Sequence, residues 1–203
     1  MNKKNLRKNL DELILIFLHV KYYELDFKYI HSVKNTLPEL YHTYNLFIDR
    51  VYHSASVVMI LNLCKLFDER EKSGLVKFKN KLLQNYNRSE LKDSMPLNEL
   101  NVLFESLFSD DVIKIMKKIK DTRDKYYAHL DPTRMDFSEI RITSADTEIL
   151  VSKAEFFIRT IELKYFDADK DFSLTINELG HNIFERLDFL ENDRIQKASR
   201  MHQ

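Results

Sequence analysis

Two glycines and three prolines in 203 residues leave this chain few places to turn sharply. Tight turns lean on Gly for left-handed backbone and on Pro for a preset φ, so their scarcity favours long helices joined by short loops. The apolar spacing agrees. Residues 4–35 carry Leu10, Leu13, Phe17, Tyr22 and Leu25 along one long helix, and Pro38 marks its break. A second long helix is expected from Glu39 to Phe67, apolar nearly all round between Ala55 and Leu66, as a central bundle helix would be. Asn62 and Lys65 interrupt that stretch and read as a satisfied core amide and a snorkelling lysine. Asp68 to Gly74 reads as a turn, followed by shorter helices at 75–86 and 97–108. The segment 87–96 has no clear pattern. Another helix opens at Asp111, behind Ser109 or Asp110 as cap, and Pro132 ends it. A loop over 132–143 follows, with a short extended piece at Glu139–Ile142. Thr143 and Asp146 resemble a capping box that starts a helix over 145–166, and a last helix spans 176–199. The fold class is all-α: a bundle of long antiparallel helices, about six to seven in number.

Hydrophobic residues at 44% can supply a core, and charged residues at 32% suit solvated helix faces. The length suits a single helical domain over 1–203. Net charge is zero, so no global field draws in nucleic acid or membrane, and any RNA binding must be local. The single cysteine, Cys64, lies in an apolar run and reads as a buried core thiol, neither disulfide partner nor nucleophile. The basic start (Lys3, Lys4, Arg7, Lys8) before Leu13–Leu18 is superficially like a secretory signal. Asp11 and Glu12 at the join and the lack of a small-residue cleavage site argue against one. No apolar run approaches the roughly 20 residues needed to span a bilayer, so no membrane partner is expected and the cytoplasm is the expected location.

The stretch with most chemistry is Arg123-Asp124-Lys125-Tyr126-Tyr127-Ala128-His129-Leu130-Asp131, late in the helix that opens at Asp111. At 3.6 residues per turn, Val112, Met116, Ile119, Tyr126 and Leu130 make one apolar stripe, with Arg123 inside it and His129 at its edge. A guanidinium on a buried face requires an anion. Either an internal acid such as Asp124 or Asp68 pairs with Arg123, or the face lines a cleft that receives an anionic ligand.

Arg-polar-x4-His late in a helix of an all-helical protein resembles the signature of the HEPN superfamily. The fuller Arg-Asp-Lys-Tyr-Tyr-Ala-His-Leu-Asp run is similar to the abortive-infection U (AbiU-like) branch, as is Leu61-Asn-Leu-Cys-Lys-Leu-Phe-Asp68 upstream. By layout the resemblance covers roughly residues 40–165, with helical additions at both ends. It implies a metal-independent endoribonuclease of phage defence or toxin–antitoxin type, without cofactors. RNA would be the substrate, a homodimer the working form, and an antitoxin protein a possible partner. His129 would be the general acid/base, because a histidine pKa lies near neutral and a helix C-terminus favours its charged form. Arg123 would hold the scissile phosphate and stabilise transition-state charge, leaving 2′,3′-cyclic phosphate and 5′-hydroxyl ends. Asp124 would orient Arg123 or His129, and Lys125, Tyr126, Tyr127 and Asp131 would line the substrate. Six residues along a helix separate Arg123 and His129 by about 120° and about 9 Å along the axis. One helix alone is therefore a poor two-residue site, and two motif helices facing one cleft in a dimer would complete it.

Other readings stand beside this one. Lys125 and His129, like Tyr127 and Asp131, are i,i+4 neighbours, so the motif also fits a surface helix end of a non-catalytic scaffold or interaction module. Lys114, Lys117, Lys118, Lys120 and Lys125 interleave with Asp121 and Asp124 and read as a solvated face. Asp167, Asp169, Asp171 and Glu178 fall at positions 1, 3, 5 and 12 of an EF-hand-like calcium loop. Phe172 occupies position 6, where the sharp turn calls for Gly, and an acidic loop followed by a Thr175–Glu178 capping box explains the same residues. The remaining histidines form no metal-ligand spacing.

Overall fold

The structure, a computed structural model, describes residues 3–88, 91–124, 142–169, Phe172 and Asn192. Within them every regular element is helical: α1 (Lys3–Thr36), α2 (Pro38–Phe67), α3 (Leu75–Asn85), a 3₁₀ turn (Tyr86–Arg88), α4 (Leu91–Ser94), α5 (Leu97–Leu107), α6 (Asp110–Thr122) and α7 (Ser144–Phe166). The all-α expectation holds, and most predicted boundaries fall within a residue or two. The patternless stretch 87–96 holds the 3₁₀ turn and the four-residue α4.

The chain packs as two compact units, one of residues 1–21 and 57–170, the other of 22–56 and 171–203. In the first unit, the start of α1 lies against the end of α7. Arg7 reaches Glu162 at 2.8 Å and stacks over the Phe166 ring, while Lys21 pairs with Glu155. Glu162 is fully buried, so the arginine supplies the charge that burial otherwise penalises. Leu10, Leu13 and Phe17 of α1 are buried in this unit's core, with Met59, Leu63 and Leu66 of α2. Phe157 of α7 is a hub: Phe78 meets it edge-on and Phe104 packs tilted against it.

α7 starts as its sequence dictates. Asp146 N–H donates to Thr143 Oγ1 and Thr143 N–H donates to Asp146 Oδ2, a complete capping box. The helix ends at Asp167 in the left-handed conformation, φ 52°. In the second unit, Ile30, Val33, Leu40, Ile48 and Ala55 form a small core, with Phe27 stacked on Tyr52. Here α2 is kinked at Tyr44, which leaves the helical region at φ −123° and ψ 24°. No Pro or Gly marks that position, and the apolar pattern runs straight through it.

Lys65 is exposed, and Asn62 is buried and donates to Val58 O at 2.9 Å, as a satisfied amide should. Among the described residues α2 is also the one helix long and apolar enough, by length and composition, to cross a membrane. The expectation that no run comes near that limit counted unbroken apolar residues, and α2 reaches it as an average. Its C-terminal half is core: Met59, Ile60, Leu63, Cys64, Leu66 and Phe67 are all buried.

Candidate functional site

Arg123 follows directly on α6. Its backbone keeps helical angles, φ −56° and ψ −52°, and with Asp124 it continues the helix as a wider π turn. The face that α6 buries is Val112, Ile115, Ile119 and Thr122. That is rotated from the predicted stripe, in which Met116 took the place of Ile115; Met116 is half-buried instead. The face centred on Ile115 and Ile119 ends on Thr122. Thr122 can be buried, since its hydroxyl donates to Lys118 O at 2.8 Å. Arg123 then stands beside the buried face rather than on it, with its side chain 17% exposed.

The guanidinium meets two carboxylates. Nε donates to Asp124 Oδ1 at 2.8 Å, Nη2 lies 2.8 Å from the same oxygen, and Nη1 donates to Asp68 Oδ2 at 3.2 Å. The hydrogen bond to Asp124 chiefly, against the opposing effect of burial, pushes the Arg123 pKa further above its ordinary value. Internal pairing, one of the two alternatives for this arginine, is thus present.

Asp68 is the hub of the cluster. It follows the last residue of α2, and its own N–H is held by Cys64 O at 2.8 Å. Besides Arg123, it accepts from Arg70 Nη2 at 2.8 Å, Arg70 Nε at 3.2 Å and the Arg70 backbone N–H at 3.0 Å. The Arg70 hydrogen bonds first, and the Arg123 hydrogen bond with them, hold the Asp68 carboxyl well below the usual carboxylate range despite burial. Cys64, one turn back on α2, is buried, and burial pushes its thiol up to about 11, while the charge of Arg123 pulls the other way. It is a thiol at neutral pH, as a core cysteine should be.

Gly74 fixes the turn that carries Asp68 and Arg70. A Cβ at Gly74 would lie 2.8 Å from Lys65 O and 3.0 Å from Leu66 O, so only glycine lets α3 start this close to the last turn of α2. Beside the cluster opens a cleft of about 320 Å³ between α2 and α6, closed by Val76 of α3 and Leu150 of α7. Cys64 and Asp68 line it, and Lys117 and Lys120 stand at its edge.

Arg123 and Asp124 are therefore together, joined by the Nε–Oδ1 hydrogen bond. His129, Lys125, Tyr126, Tyr127 and Asp131 lie outside the described residues, as does the predicted helix end at Pro132. Of the calcium-loop residues, Asp171 and Glu178 also lie outside them; Asp169 accepts from Arg159 Nη2 at 2.8 Å, and Phe172 is buried. No group of potential metal ligands occurs among the described residues. Sequence reasoning missed Arg70. The signal available was Asp68-x-Arg70 at a helix end, where a carboxylate can accept from the backbone and side chain two residues on.

An all-helical protein whose sequence carries Arg-polar-x4-His from Arg123 to His129 fits the HEPN class. The comparison with family models is specific: the AbiU2 HEPN family model matches residues 4–185, and the chain belongs to that family. No curated protein and no solved structure matches it.

Proposed function

We propose that this protein is a metal-independent HEPN endoribonuclease of the phage-defence or toxin–antitoxin type, acting as a homodimer in the cytoplasm. The observation that carries the reading is Arg123: a largely buried arginine, aimed by two carboxylates and set beside an open cleft, in a chain of a HEPN family. A phosphate can take the place of a carboxylate oxygen at a guanidinium, because both offer the same bidentate geometry. Arg123 then neutralises charge that grows on the non-bridging oxygens as the 2′-oxygen attacks. Asp124 keeps the guanidinium in place while Asp68 yields. His129 takes the 2′-hydroxyl proton or delivers one to the leaving 5′-oxygen, and its counterpart in the second subunit does the other. The P–O bond to the 2′-oxygen forms, the P–O5′ bond breaks, and the products carry a 2′,3′-cyclic phosphate and a 5′-hydroxyl.

One observation favours the rival, a non-catalytic scaffold: Nε, Nη1 and Nη2 of Arg123 are all engaged by carboxylates. Cleavage of RNA in EDTA, comparing the protein with His129→Ala and Arg123→Ala, separates the two. The nuclease reading expects cleavage lost by about 10²-fold or more in either variant, cyclic-phosphate ends, and a dimer by light scattering. Equal rates in all three proteins would leave the scaffold.

A further inference from the structure

The cleft beside Arg123 has no part in the chemistry above, yet its construction is that of a binding site. Its buried floor is apolar: Leu63, Phe67, Ile119 and Leu150 are each no more than 2% exposed. Met116 is half-buried in its wall, and Ile113, 52% exposed, stands at its rim. Polar groups gather at its edges, Asp68 and Glu69 on the α2 side and Lys117 and Lys120 on the α6 side. At about 320 Å³ it lies at the small end of the range for ligand pockets.

The cleft and the arginine cluster are continuous through two shared residues. Asp68 lines the cleft and accepts from Arg123, and Cys64 lines the cleft while feeling the charge of Arg123. A phosphate that displaces Asp68 at Arg123 stands at the mouth of this apolar volume. A group attached to such a phosphate meets an apolar floor with polar groups at the edges in about 320 Å³, and a nucleobase, apolar on its faces and polar at its edge, matches that lining. Lys117 and Lys120 are placed to meet the charge of the flanking strand, which the neutral chain does not otherwise attract.

We propose that this cleft is a base-binding subsite, seating the nucleobase of the nucleotide whose phosphate lies at Arg123. The inference rests on the reading of Arg123 as a phosphate-binding residue. It makes Met116, Ile113 and Val76 determinants of which nucleotide is accepted, and it places the base on the α2–α6 side of the arginine.

The test uses the full chain and free nucleotides. Affinities for AMP, GMP, CMP and UMP are compared with that for ribose 5-phosphate, which carries the same phosphate and no base. In parallel, methyl-labelled methionine spectra follow Met116. The expected result is at least one nucleotide bound about tenfold or more tightly than ribose 5-phosphate, as a single buried base supplies. The Met116 methyl resonance shifts with the nucleotide and not with ribose 5-phosphate. Val76→Phe, which fills the cleft, abolishes the difference between the two ligands; where that variant does not fold, the Met116 resonance of the unmodified protein decides. Nucleotides bound no more tightly than ribose 5-phosphate, or an unmoved Met116 methyl, overturn the proposal. The two readings fail separately. A base preference without His129-dependent cleavage sinks the nuclease and keeps the subsite, whereas His129-dependent cleavage with no base preference does the reverse.

Discussion

Asp68 is a carboxylate shared by two arginines, and its protonation would weaken its bonds to both, leaving Arg123 held by Asp124. Arg70 and then Arg123 hold its folded pKa below the ordinary value near 3.9. Such a group stabilises the folded state fully above its unfolded pKa and ceases to do so as pH falls through the folded value. Asp124, depressed by Arg123, acts in the same direction. Stability should therefore hold from neutral pH down to about pH 4 and decline below it. Asp68→Asn should lose about 1–3 kcal/mol at neutral pH and show a shallower decline in acid. Urea unfolding of both proteins between pH 7 and pH 3 reads this directly. Parallel acid declines would assign the sensitivity to other carboxylates.

At the scale of elements, the turn from Asp68 to Gly74 sets where the charged cluster stands relative to α2 and α3. Gly74→Ala drives a methyl into Lys65 O and Leu66 O, which are backbone atoms and cannot swing aside. The expected loss is about 1–3 kcal/mol, accompanied by faster reaction of Cys64 with a thiol reagent as the end of α2 shifts. A change below about 0.5 kcal/mol would show that the close approach is not a constraint. What the chain discloses of its elements follows from how local each cause is. The α7 start was legible because a capping box is complete within four residues, Thr143 to Asp146. Long helices were legible from period and from the scarcity of Gly and Pro. The Tyr44 kink was not, because no breaker stands there. The buried face of α6 was misjudged by one position, since Ile115 and Met116 are both apolar and the packing buries Ile115. Of the site, the pairing of Arg123 with Asp124 or Asp68 could be anticipated from charge alone. The linking role of Asp68 and the cleft could not, because they depend on α2 and α6 meeting across 55 residues of chain.

On the scale of the molecule, the first unit joins the two ends of its sequence through one buried charge. Glu162 has no exposed side-chain surface and Arg7 is its cation. Arg7→Ala should cost about 3 kcal/mol, since a buried carboxylate loses its counter-charge, whereas Arg7→Met with Glu162→Leu should recover most of it. Chemical unfolding of the two variants checks this; equal losses would mean that α1 is held to α7 by packing alone. The self-cancelling cluster at Arg123 has a kinetic consequence at this same scale. Two acids offset two arginines there, and the whole chain sums to zero. No potential extends past a Debye length of roughly 8–10 Å to pull a polyanion inward. Encounters then proceed at the unsteered rate, about 10⁵–10⁶ M⁻¹s⁻¹. On the reading proposed above, how often such a protein would meet an RNA is governed by abundance and co-localisation, not by long-range attraction.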